Sequence, residues 1–177
     1  MKRYTDRVAD WVAQASQSDV KELMGPTTKF VSSNFFEKMG ACEGSLWWRY
    51  SETEFLEVCY NSGPNSERIV WQIRQPLSDG IVSLVFHTGE PAYSNQLSDN
   101  PDHSKQIDQK LSQQTIRMLA SPLVLGGEIV GVASAVVLDS SSAKRFEYAD
   151  LEMTQHLSEI LRSLWERQII VASEITL

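Results

Sequence analysis

Residues 121–133 read Ser-Pro-Leu-Val-Leu-Gly-Gly-Glu-Ile-Val-Gly-Val-Ala. Two adjacent glycines between apolar runs supply the positive φ that a two-residue hairpin turn requires, so strands are expected over 116–125 and 128–138, joined at Gly126-Gly127. The second strand carries Ile129, Val130, Val132, Ala133, Ala135, Val136 and Val137. It is apolar in both alternating phases, as in a strand covered on both faces. Upstream, His87-Thr88-Gly89-Glu90-Pro91 follows an apolar run over 81–87. Gly89 reads as the left-handed stop of a helix, and Pro91 fixes the chain leaving it. Because β-branched residues dominate 81–87, that run taken alone also fits a buried strand.

Outward from these segments the pattern changes period several times. Val8, Trp11, Val12 and Ala15 fall at helical spacing within an amphipathic helix over 4–17. Asp19 and Glu22 resemble a capping pair, Gly25-Pro26 interrupts the run, and a further helix over 27–38 stops at Gly40. The segments 45–50 (SLWWRY) and 54–60 (EFLEVCY) are β-propense and separated by polar residues, which predicts a hairpin. The stretch 61–66 (NSGPNS) is a turn, and 69–74 is expected to be a third strand. A short strand over 92–95 precedes 96–114, the most polar part of the chain, read as a mobile loop with a helical turn around 105–111. After a polar loop over 139–143, a helix over 146–170 is apolar across an arc wide enough to bury more than one side.

Composition fits one ordinary domain: 177 residues, 42% hydrophobic, 22% charged. The net charge of −7 opposes attraction to nucleic acid or anionic lipid. No apolar window approaches membrane-spanning length and the N-terminus resembles no signal peptide, so a cytoplasmic protein is expected, with no nucleic acid and no membrane among its partners. Hairpin register places Cys59 opposite about Leu46, with Cys42 near the strand entrance, too far for a disulfide; two buried or half-buried free thiols are expected.

The order of elements, with Gly80, Val85, Thr88, Gly89, Glu90 and Pro91, then Ser121, Pro122 and Leu123, then Gly131 and Val132, then Phe146 and Asp150, resembles the GAF family over about 19–170. The resemblance implies an α+β fold: a central antiparallel sheet of five or six strands, terminal helices on one face and a ligand pocket on the other. It makes 81–87 a helix forming one pocket wall and 95–115 the roof. Residues 1–18 are then an N-terminal amphipathic helix serving dimerisation, and 19–177 the GAF-like domain. Departures narrow the subfamily. The cyclic-nucleotide signature is incomplete, because Leu151 replaces its glutamate and no Asn-Lys pair precedes Phe146. The residue before His103 is Asp102, where bilin-binding members carry a cysteine, and 95–115 contains none of the pocket-loop cysteines used by free methionine sulfoxide reductases of this fold.

The motifs identify a fold and not a chemistry. Trp71, Arg74, Phe86, Tyr93, His103 and Arg117 are the expected pocket lining. His103 with Asp99, Asp102 and Asp108 offers imidazole and carboxylates to a ligand amine or metal, although such a composition is first of all that of a solvated loop. Trp47, Trp48 and Trp71 suit a planar ligand, but alternation sends Trp47 and Trp48 to opposite faces of the sheet. Arg49 and Arg74 present guanidinium groups for a carboxylate or phosphate. His87 and His156 read as structural or solvated. The sequence carries no nucleophile elbow, zinc-protease helix, phosphate loop or C-x-x-C pair. The expected function is therefore a sensory or regulatory module, not an enzyme, binding a small molecule or partner protein and signalling through its terminal helices; no particular cofactor is implied. The alternatives are a ligand-free dimerisation scaffold and a thiol enzyme similar to free methionine sulfoxide reductase. A homodimer is expected through 4–17 packed beside 157–169, because Val8, Trp11, Val12, Leu157, Leu161, Leu164 and Trp165 exceed what one sheet face covers.

Overall fold

The computed structural model describes residues 3–40, 43–139 and 142–175. Among these, β1 (Glu43–Trp48), β2 (Phe55–Asn61), β3 (Arg74–Pro76), β4 (Ala92–Ser94), β5 (Arg117–Leu125) and β6 (Glu128–Val137) form one antiparallel sheet in the order β3-β2-β1-β6-β5-β4. The Gly126-Gly127 turn takes positive φ at both residues, as the hairpin requires. β4 pairs only with Met118–Ala120, so Pro122 lies where β5 has a free edge and its missing N–H costs no ladder bond.

Strand β1 sorts its neighbours by alternation. Leu46 and Trp48 join the core beneath the helices α1 (Tyr4–Gln14), α2 (Gln17–Leu23), α3 (Pro26–Met39) and α7 (Tyr148–Ile175). Trp47 joins a second core beneath α4 (Ser66–Ile69), α5 (Ile81–Thr88) and the segment containing α6 (Gln106–Leu111). Trp48 is the centre of the helical layer, with Trp11 and Trp165 packed edge-on at 6.3 and 5.8 Å between ring centroids. The Trp165 indole N–H donates to Thr28 Oγ1 at 2.9 Å, so the deepest ring of the last helix carries no unpaired donor.

The expected helix 81–87, its stop at Gly89 (φ 70°), the strand at 92–94 and the helical turn over 106–111 are all present. Three expectations are corrected. The run 69–74 is not a strand: Trp71 adopts φ 63°, which no extended strand allows, so a one-turn helix and a bend precede β3. The helix 4–17 breaks after Gln14, because Ser16 and Asp19 form the capping box that starts α2, displacing the expected Asp19 and Glu22 pair. The last helix begins at Tyr148, two residues after buried Phe146, with Asp150 accepting the Glu147 N–H at 2.9 Å.

The apolar stripe that motivated a dimer is largely covered within one chain. Val8, Leu157 and Leu161 are fully buried, and Arg7 ties α1 to Ser173 and Glu174 near the end of α7. Ile160 and Val171 are left exposed on α7. Among the described residues no helix is long and apolar enough to cross a membrane.

β1 and β6 meet closely at Gly131, where a Cβ would lie 1.9 Å from the Trp47 carbonyl oxygen. The neighbour is backbone and cannot rotate away. Gly131→Ala should therefore destabilise the domain by about 3 kcal/mol or more, whereas Gly127→Ala, in open space but at positive φ, should cost about 1 kcal/mol. Urea unfolding of the two variants, read as shifts in midpoint at constant m, checks the ranking.

Candidate functional site

On the face opposite the terminal helices a cavity of about 70 Å³ lies between the sheet and residues 103–115. Its floor is Glu43, Ser45 and Trp47 from β1, Val58 and Asn61 from β2, Met118 from β5 and Ser134 and Val136 from β6. Ile69, Ile73, Gln75, Ile81 and Val82 make the walls; His103, Ile107, Asp108, Leu111 and Thr115 make the roof. Since a single water needs roughly 10–15 Å³ of such space, the cavity holds a few waters or a compact molecule.

Strand register assembles the polar part of the floor. Ser45 is paired with Ser134 on β6 and with Asn61 on β2, so three polar side chains form a row across three strands. Asn61 Nδ2 donates to Ser45 Oγ at 3.0 Å and at 3.4 Å to Glu43 Oε2, while Asn61 Oδ1 accepts the Gly63 N–H at 2.8 Å. Trp47 Nε1 donates to Ser134 Oγ at 2.8 Å. Gly63 makes room for the acid: a Cβ there would stand 2.3 Å from Glu43 Cδ. Burial pushes the Glu43 carboxyl above its ordinary pKa, against the opposing effect of the Asn61 hydrogen bond.

The roof is held by Asp108, whose Oδ1 accepts the Thr115 hydroxyl at 2.5 Å and whose Oδ2 accepts the Thr115 N–H at 2.8 Å. His103 Nε2 stands 3.4 Å from the same Oδ2. Leu97, 1% exposed, anchors the entry to this segment, so 96–114 is not wholly a solvated loop.

Of the six residues expected to line the pocket, His103 is the one this cavity takes. Trp71 turns toward α2, with Lys21 Nζ 5.3 Å from its ring centre, because its positive φ reverses the chain before β3. Arg74 is held outside by the buried Glu57 carboxylate at 2.9 Å and by the Phe55 ring. Phe86 packs against the cavity-side core with Arg49 over its outer face, and Tyr93 is 44% exposed in a surface groove beside Arg145. Arg117 Nη1 donates to the Ser142 carbonyl at 3.2 Å. Of the acidic cluster, Asp108 alone comes to His103 as an ion-pair partner, and among the described residues no three His, Cys, Asp or Glu side chains are placed to hold a metal. His87 Nε2 lies 3.0 Å from the Leu77 carbonyl and His156 pairs with Glu159, as structural and surface roles require.

Cys59 lies on the helical side, where its thiol donates to the Leu46 carbonyl at 3.3 Å beside a register shift in β1. Burial pushes its pKa up, away from the thiolate that nucleophilic chemistry needs. Cys42 lies outside the described residues.

The model of the GAF domain matches residues 29–166. The chain belongs to that family. Among solved structures it is similar to the GAF domain of a phosphoenolpyruvate-protein phosphotransferase from Coxiella burnetii, at 17% identity and a TM-score of 0.71 over 96% of this chain and 95% of that one. A methyl-accepting chemotaxis protein fragment, residues 122 to 287, matches at 14% identity and a TM-score of 0.69 over 96% and 98%. Free methionine-R-sulfoxide reductase from Neisseria meningitidis, solved with its substrate, matches at 18% identity and a TM-score of 0.62 over 85% and 87%. No curated protein matches. At these identities the likeness is one of fold.

Because the Glu43 pKa is raised in the folded chain, the cost of ionising it is absent below the unfolded value near pH 4 and complete only above the folded value. Glu43→Gln should therefore gain stability relative to the parent as pH rises from about 4 to 8. Paired thermal melts across that range check it; a difference independent of pH contradicts it.

Proposed function

We propose that this GAF domain is a sensory module whose cavity binds a small molecule and whose terminal helices carry the response to another protein. The supporting observation is the row Ser134, Ser45 and Asn61 with Glu43: buried polar groups, joined through Asn61, that line a space. Stability alone gives no reason to set such a row beside open space. The roof holds its own shape through Asp108 and Thr115 and rests on the core through Leu97 and the partly buried Ile107 and Leu111, which suits a site that opens to admit a ligand.

Back-to-back placement supplies the output. Trp47 forms the cavity floor and the adjacent Trp48 contacts Trp11 of α1 and Trp165 of α7. At the sheet edge, buried Glu57 accepts from Gln17 Nε2 of α2 at 2.7 Å and from Arg74 Nε at 2.9 Å, next to the cavity residue Gln75. A ligand that shifts β1 or β3 thereby changes what α1, α2 and α7 rest on. Exposed Ile160 and Val171 on α7 are where a second copy or a separate signalling protein would read that change. Catalysis by Cys59 gains no support, since its buried thiol lies across the sheet from the cavity.

Native mass spectrometry of freshly purified protein tests the reading. The parent chain should retain a small molecule, or take one up with a rise in melting temperature, and Val136→Phe, which fills the cavity from β6, should do neither while staying folded. Equal mass and equal thermal response of parent and variant to every compound tried would leave a ligand-free scaffold as the better account.

A further inference from the structure

Resting on the reading of the cavity as a ligand site, we infer that it selects a compact organic cation, a short-chain primary amine in its protonated form, and disfavours carboxylates and phosphates. The ionisable side chains lining it are Glu43, Asp108 and His103; among the described lining residues there is no lysine or arginine. On the lining strands, the Arg74 guanidinium is turned outward to Glu57 and that of Arg117 donates to the Ser142 carbonyl.

The two carboxyls are not equivalent. Asp108 is satisfied at both oxygens by Thr115 and approached by His103, so it belongs to the roof's own scaffold. Glu43 is 6% exposed, yet among the described residues its carboxyl receives one long contact, from Asn61 Nδ2 to Oε2 at 3.4 Å. A buried carboxyl in a cavity lining with so little hydrogen bonding is costly to ionise alone and favourable beside a cation. An ammonium brings three N–H donors. The acceptors on the same patch are the Glu43 carboxylate, Ser45 Oγ and Ser134 Oγ, grouped by the pairing of Ser45 with Ser134.

The rest of the space sets the body of the ligand. Ile69, Ile73, Ile81 and Val82 offer an apolar wall opposite the polar row, which fits a short branched alkyl group and gives no partner to a second charge. A volume of about 70 Å³ limits that body to a few carbon atoms.

Three isosteres that differ in charge test this on the full chain at neutral pH: isobutylammonium, isobutanol and isobutyrate, followed by saturation-transfer NMR and thermal shift. The parent should bind isobutylammonium at least about tenfold more tightly than either of the others. Glu43→Gln should abolish that preference, Ser45→Ala should weaken it, and Glu128→Gln, an exposed acid on the hairpin turn, should leave it unchanged. Isobutyrate or isobutanol binding as tightly as the amine overturns the charge assignment and leaves the cavity as a ligand site. Amine binding that survives Glu43→Gln overturns it too, as does no binding of the amine at about 10 mM. Retained ligand in the native mass spectrum is independent of these outcomes, so failure of the cavity reading itself would be seen separately.

Discussion

The register between β1 and β6 is the constraint on which the other features depend. Gly131 lets the two backbones come together at Trp47 and Trp48, and that pairing sets Ser45 opposite Ser134. Strand side chains repeat every two residues, so a slip of one position would turn Trp48 into the cavity and Ser45 and Glu43 toward the helices. Trp48 has a fitted place between Trp11 and Trp165, and Glu43 would trade its Asn61 partner for a largely apolar core. The register is thus enforced by cost on both faces at once.

The two faces differ in how they are closed. The helical face is covered by side chains that interlock, with Phe36 occupying the space that Gly44 leaves and Trp165 reaching Thr28. The opposite face is covered by short elements and by the segment 103–115, whose polar staples hold its shape but do not fill the volume beneath. A cavity follows from that difference in cover, and its chemistry follows from which β1, β2 and β6 residues happen to face it.

Much of the fold was legible in the sequence because it depends on local rules. Gly126-Gly127, Gly89 and the double-phase apolar run of β6 each act through backbone geometry or alternation, and the split of Trp47 from Trp48 follows from alternation alone. The segment 69–74 misled because its β-propense residues carry no mark of the left-handed backbone at Trp71, which is imposed by packing against β2 through the Trp71 N–H and the Val58 carbonyl. The cavity was located by the resemblance, but its lining was not. Aromatic and cationic side chains drew attention to Trp71, Arg74 and Arg117, each of which finds partners elsewhere. Glu43, Ser45, Asn61 and Ser134 were readable in principle as polar residues set into strands that are otherwise apolar. Their convergence, however, is set by cross-strand register, which no single segment contains.

The central claim is that one face of the sheet is a closed core and the other a cavity beneath a roof that opens on its own. Native-state amide hydrogen exchange, resolved by residue, tests this most directly. Amides of β6 around Val130–Ala135 should exchange only through global unfolding, while those of 106–111 should exchange through a much smaller opening that leaves β6 and α7 protected. If 106–111 instead exchanged as slowly as β6 and with the same denaturant dependence, roof and core would be one cooperative unit, and the cavity would be a sealed packing defect, not a site.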